Sequence, residues 1–204
     1  MKSKYSGAAY LTRLALLLAI VIIMTVFNFG NIPIGPIVAT LYQVPVIIGA
    51  VILGTSGGCI LGAAWGIVCF ILAITGQTTD IVALAVVQQN PLMYFAIAFV
   101  PRLLTGLFAG LIFAGMDKIV PHKYNPVSFA VTGVFGSLTN TVFYLGALYI
   151  FIKDMLASLY SIEIGAVGAM VMGVALSNGL LEALLSAVVV MAVCKAVTVV
   201  EKAK

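Results

Sequence analysis

Apolar residues run along this chain in long unbroken stretches, and polar residues cluster in the gaps between them. Six stretches stand out: Ala8 to Phe29, Val38 to Leu53, Gly57 to Thr75, Pro91 to Met116, Val127 to Ile152 and Ile164 to Cys194. A helix needs about 20 apolar residues to cross a bilayer, and it satisfies its own backbone hydrogen bonds there. The runs are continuous, whereas strands of a membrane β-barrel alternate over about ten residues. The pattern predicts an all-α integral membrane protein: six transmembrane helices in a single bundle, with residues 1–204 as one domain. The second stretch is short, which predicts a helix tilted less than the others or partly re-entrant.

Composition agrees with the pattern. The chain has 204 residues, 63% hydrophobic and 8% charged, with a mean hydropathy of +1.24, outside the range of soluble globular domains. Basic residues then orient the bundle. With six spans both termini share a side, and Lys2, Lys4, Arg13, Lys118, Lys123, Lys195, Lys202 and Lys204 fall on it. Only Lys153 stands opposite, so the positive-inside rule predicts cytoplasmic termini. The net charge of +4 is therefore a topology signal rather than a nucleic-acid footprint. No Ala-x-Ala-like site follows the first apolar run, which reads as an uncleaved helix.

Little here points to enzyme chemistry. Cys59, Cys69 and Cys194 are scattered without CxxC or Cys/His spacing, so neither a disulfide framework nor a metal site is expected. The single histidine, His122, falls in the short basic loop Asp117 to Asn125. A phosphate-binding Walker loop needs Gly-Lys, which occurs nowhere, so ATP-driven work requires a partner. No cofactor is called for. On the cytoplasmic side Gly54-Thr-Ser-Gly57-Gly58 predicts a tight turn. The outer side carries Asn28 to Pro36 and a longer loop, Gly76 to Asn90. Within the latter, Ile81 to Val87 is too short to span and reads either as an outer lid or as an interfacial connector.

The residue that changes the picture is Arg102, about ten residues inside the fourth stretch. A guanidinium at that depth costs at least about 2.5–3.5 kcal/mol, stays charged, and matches a carboxylate or phosphate through a planar fork. Snorkelling, or a packing pair with Glu182, is the bland account. At 1.5 Å per residue Arg102 lies roughly 15 Å below the outer end of its helix, and Trp65 and Thr139-Asn140-Thr141 reach similar depths. Asn178 and, one turn on, Glu182 approach from the last stretch, while Tyr42 and Gln43 sit near the outer mouth. Each could be interhelical glue, but their convergence around one arginine predicts a pocket for an anionic ligand.

Small residues make a second pattern: Ala15 and Ala19 on the first helix, Gly58, Gly62 and Gly66 on the third, Gly106 and Gly110 on the fourth. Such spacing lets backbones approach closely. Together with Ile32-Pro-Ile-Gly-Pro36, Val44-Pro-Val-Ile-Ile-Gly-Ala50, Gly62-Ala-Ala-Trp-Gly66, Pro101-Arg-Leu-Leu-Thr-Gly106 and Gly136-Ser-Leu-Thr-Asn-Thr141, these residues carry a resemblance. Over nearly its whole length the chain resembles the substrate-binding S-components of energy-coupling factor (ECF) vitamin transporters, most closely the pantothenate type. The apolar character of the segment between the third and fourth spans departs from that pattern.

The resemblance implies a six-helix subunit that captures a vitamin from outside. It implies docking, through Ala15 and Ala19, onto a transmembrane coupling subunit that carries two ATP-binding-cassette ATPases. For pantothenate, Arg102 would take the carboxylate, Asn140, Thr139 and Asn178 the amide and hydroxyls, and Trp65 the gem-dimethyl group. Another vitamin such as folate or riboflavin stays open, as does a proton-coupled carrier using Arg102 and Glu182 as a relay. Carriers of that class usually show internal repeats, which are absent here. A membrane enzyme would need a nucleophile–base pair or metal cluster that the sequence does not offer.

Overall fold

Two asparagine–proline pairs start the two longest helices, and the computed structural model shows how. The Asn90 side chain accepts from the Met93 amide at 3.0 Å and the Asn125 side chain from the Val127 amide at 2.9 Å. Each proline follows at the first helical position, where its missing N–H costs nothing. The structure describes residues 7–34, 37–119 and 125–202. Lys2, Lys4, Gly35, Pro36, His122, Lys123 and Lys204, used in the sequence reading, lie outside the described residues.

The elements in order are α1 (Gly7–Val26), β1 (Asn31–Ile34), β2 (Ile37–Thr40), α2 (Gln43–Leu53), α3 (Thr55–Ile74), α4 (Ile81–Gln89), α5 (Pro91–Ile119), α6 (Pro126–Tyr160), α7 (Val167–Val174) and α8 (Leu180–Lys202). Among the described residues, five helical runs are long and apolar enough to cross a membrane: α1, α3, Pro91–Met116 of α5, α6, and Ile164–Val200. Their outward faces carry exposed Leu11, Ile23, Val142, Leu176 and Leu184, as lipid-facing helices do.

The second stretch departs from its expected form. It is helical only over Gln43–Leu53, and Ile37–Thr40 pairs antiparallel with Asn31–Ile34, Asn31 opposite Thr40. Pro33 is unsuited to a helix interior and the flanking residues are β-branched, so an extended hairpin is the cheaper local solution. Eleven residues rise only about 16 Å, too little to cross a bilayer. Every residue of α2 except Ile52 is buried. A helix apolar all round belongs inside, and α2 sits among α1, α3, α5, α6 and α8. The connection onward is sharp: Gly54 takes φ 86°, ψ 178°, a conformation open to glycine, and α3 begins at the next residue.

The last stretch is a broken helix. A 3₁₀ turn at Ile164–Ala166 and a π turn at Ala175–Gly179 flank α7 before α8 begins. Near the expected end of the fifth stretch, Ile152 leaves helical geometry, yet α6 resumes to Tyr160 and buries Leu156 and Ala157. The run Ile81 to Val87 is also helical. Asp80 caps α4, accepting from the Val82 and Ala83 amides at 2.9 and 3.2 Å. Val82, Ala83, Val86 and Val87 are buried in one cluster with Ile97, Leu148, Leu156 and Val167.

The most extensive helix pairing is α3 on α5. A Cβ built at Gly62 would overlap the Arg102 carbonyl, one at Gly106 would overlap the Gly58 carbonyl, and one at Gly66 would lie 2.7 Å from Phe99 Cα. Gly62→Ala is therefore expected to cost about 1–3 kcal/mol by overpacking and to lower the unfolding midpoint of the solubilised chain. Gly115→Ala, where a Cβ meets nothing within 4 Å, leaves the midpoint unchanged or raises it slightly, since alanine suits a helix interior better than glycine. Equal midpoints for both variants would show that α3 and α5 do not approach this closely.

Candidate functional site

Proline at position 101 has no N–H to give the carbonyl one turn back, so Ile97 O loses its helical donor. Arg102 folds back along α5 and supplies one, Nη1 to Ile97 O at 3.0 Å. Its guanidinium carbon lies over two rings, 5.1 Å from the Trp65 centroid and 4.5 Å from that of Tyr144. Each such contact is worth about 0.5–2 kcal/mol, the more as water is excluded. Arg102 is 9% exposed, and its Nε has no hydrogen-bond partner among the described residues.

These groups open onto a cavity of about 470 Å³, within the range of small-molecule sites. It lies at the end of the bundle that holds the hairpin and the α3–α4 connection, with walls from α3, α5, α6, the π turn and α8. Two carboxylates, Asp80 and Glu182, face it together with Arg102. Both are engaged. Asp80 Oδ1 caps α4, and its Oδ2 accepts from the Tyr144 hydroxyl at 3.3 Å. Glu182 Oε1 accepts from the Thr40 amide at 2.9 Å and the Thr40 hydroxyl at 2.6 Å, tying the hairpin to α8. Among the described residues six buried polar atoms lack partners. Gln43 Oε1 and Ser186 Oγ lie away from the cavity, and the other four are of both kinds: Trp65 Nε1 and Arg102 Nε donate, Asn140 Oδ1 and Asn31 Oδ1 accept. All four residues line the cavity. A ligand that satisfies them needs an anionic end and separate hydroxyl or amide donors.

Of the residues expected at the site, Arg102, Asn140, Trp65, Asn178, Tyr42 and Glu182 line this cavity. Thr139 and Gln43 do not. The Thr139 hydroxyl donates to Phe135 O on an exposed face, since one residue's step turns a helix side chain by about 100° from its neighbour Asn140. Gln43 is fully buried and donates to Ser137 Oγ at 3.2 Å, joining α2 to α6. Ala15 and Ala19 lie far from the cavity lining, exposed on α1.

Sequence reasoning missed Tyr144, Asp80, Tyr94 and the hairpin residues Asn31 and Thr40, all of which line the cavity. Tyr144 was findable, because it stands four residues after Asn140 and so shares its face of α6. Asp80 carried a readable cap signal, but not its reach to Tyr144. Thr40 had no local signal, since its partner is 142 residues away.

A bundle of apolar helices with an arginine-centred cavity at one end defines a membrane substrate-binding protein. The profile of the family described as ECF transporter, substrate-specific component matches residues 9–194, and the chain belongs to that family. It is a multi-pass cell-membrane transport component and not an enzyme. It is 29% identical over 204 residues to "Pantothenic acid transporter PanT" of Lactococcus lactis subsp. cremoris, across 97% of this chain and 96% of that one. Over 138 residues it is 28% identical to "Pantothenate transporter PanT" of Leuconostoc mesenteroides, across 65% of this chain and 64% of that one.

The Glu182–Thr40 tie makes its own prediction. Charge-assisted hydrogen bonds contribute about 1.5–3 kcal/mol, so Glu182→Ala is expected to speed hydrogen exchange at the Thr40 amide by about tenfold or more. The Val82 and Ala83 amides, which Asp80 holds, keep their protection. Exchange mass spectrometry that finds residues 37–42 equally protected in both proteins would remove Glu182 from the hairpin's support.

Proposed function

We propose that this protein captures pantothenate from outside the cell and presents it for ATP-driven uptake by partner subunits. The observation that carries this reading is the buried Arg102 Nε without a partner, in a cavity whose own two carboxylates are already engaged. An exogenous carboxylate is the natural complement of that guanidinium, and a charge-assisted pair in a low-dielectric site is strong. The unmet acceptors on Asn140 and Asn31 suit the hydroxyls and amide N–H of pantothenate. The Trp65 and Leu145 surfaces suit its gem-dimethyl group. Similarity to two pantothenate transporters supports the choice of vitamin.

In this reading the hairpin and α2 together complete a sixth crossing, both termini are cytoplasmic, and the cavity faces outward. The basic residues Arg13, Lys118 and Lys195 on one side, against Lys153 on the other, support that orientation. The chain has no phosphate-binding loop, so a transmembrane coupling subunit with two ATP-binding-cassette ATPases powers release. Ala15 and Ala19, four residues apart and exposed on α1, offer the flat face on which such a subunit docks.

Calorimetry on the purified chain is expected to show saturable pantothenate binding without ATP. Breaking a buried ion pair costs about 3–5 kcal/mol, so Arg102→Ala loses at least about a hundredfold in affinity. Arg102→Lys recovers little, because an ammonium cannot reproduce the planar fork. Absence of pantothenate binding would reject the ligand, and failure with every water-soluble vitamin would reject the substrate class.

Ala15→Trp separates docking from capture. It is expected to leave pantothenate affinity nearly unchanged while stopping uptake in cells that also supply the coupling subunit and ATPases. Undiminished uptake by that variant, or uptake in vesicles holding this chain alone, would defeat the partner assignment.

A further inference from the structure

Two rings lie against the Arg102 guanidinium, and one of them is itself held. The Tyr144 hydroxyl donates to Asp80 Oδ2 at 3.3 Å, while Asp80 Oδ1 is fixed by the Val82 and Ala83 amides. Those amides belong to a helix whose apolar face, Val82, Ala83, Val86 and Val87, is buried in the core. The acceptor of the Tyr144 hydroxyl is therefore a fixed point. The Tyr144 oxygen lies on the axis of the ring's own rotation, so anchoring it fixes where the ring sits beside Arg102 and leaves the tilt of the ring to the groups packed on its face.

We propose that Tyr144 and Asp80 are positioning residues of the anion site: Asp80 pins the Tyr144 ring, the ring sets the Arg102 guanidinium, and anion affinity is thereby coupled to the cap of α4. This rests on the reading of Arg102 as the carboxylate-binding group. The coupling is reciprocal, so an anion that engages Arg102 also stabilises the α4 cap. The arrangement has an unusual sign. Asp80 is a negative charge facing the cavity that receives an anion, so simple repulsion predicts that neutralising it tightens anion binding. Positioning predicts the opposite.

The test uses the full chain in lipid nanodiscs, with pantothenate and its neutral analogue in which a hydroxymethyl group replaces the carboxylate. Tyr144→Phe and Asp80→Asn are each expected to weaken pantothenate about fivefold, from loss of the ring's set over the cation. The neutral analogue stays within about twofold, and the double variant is no worse than the weaker single, as for two residues on one path. Tighter pantothenate binding by Asp80→Asn, equal losses for both ligands, or additive losses would each overturn the proposal.

Trp65 supplies a readout that needs no ligand, because it is the chain's single tryptophan and the other ring on the guanidinium. Tyr144→Leu and Asp80→Asn are expected to shift its emission toward that of Arg102→Met. Unchanged emission in both would overturn the proposal by itself. If the wild-type chain binds no pantothenate, the ligand reading fails, and the Trp65 emission still decides whether Asp80 and Tyr144 position Arg102.

Discussion

A charge that cannot be neutralised by losing a proton sits in α5 at a depth where lipid offers nothing to solvate it. Much of the bundle's detail can be read as the means of keeping Arg102 there. Pro101 frees a carbonyl for one of its N–H groups. Trp65 and Tyr144 bring ring faces from α3 and α6. For Trp65 to reach, α3 must cross α5 at backbone distance, with Gly62 against the Arg102 carbonyl and Gly106 against the Gly58 carbonyl leaving no room for a Cβ. One change at any of these positions disturbs the others, because they share a single group.

The two ends of the molecule are built for different tasks. At one end the hairpin, the α3–α4 connection, the π turn and the start of α8 join α5 and α6 in supplying the polar groups of the cavity. The π turn at Ala175–Gly179 carries Asn178 into it, and Gly179 lets Thr141 of α6 pack close. Glu182 then reaches back to Thr40 and ties the hairpin to this wall. Away from the cavity the bundle is simpler: α2 is buried among five helices, and α1 leaves Ala15 and Ala19 exposed. This separation suits the proposed function, in which capture and partner-powered release involve different surfaces.

Counting residues from helix ends located much of the cavity lining. Arg102, Trp65 and Asn140 lie at similar depth on three helices, and depth is a linear function of sequence position in a helix. Rotation about the axis is also linear, but its zero is set by packing, which explains the two misplaced residues. Thr139 points away from the cavity that Asn140 lines, and Gln43 turns into the core beside Tyr42. The hairpin was hidden by its own hydrophobicity. Val38 to Leu53 scores as one apolar run, yet its first residues pair as a strand because Asn31–Ile34 is there to pair with.

What the sequence determined by itself are the properties that depend on one segment at a time. They are the membrane class, most of the spanning runs and a charge too deep to be incidental. Each follows from local hydropathy, propensity or hydrogen bonding, which a linear scan can sum. What only the tertiary structure decided are the pairings between distant segments: Tyr144 with Asp80, Glu182 with Thr40, Gly62 with the Arg102 carbonyl. Hydrogen bonds and ring contacts act over a few ångströms and depend on direction. They exist only once helix rotation and crossing are set, and those are set by the whole bundle packing at once.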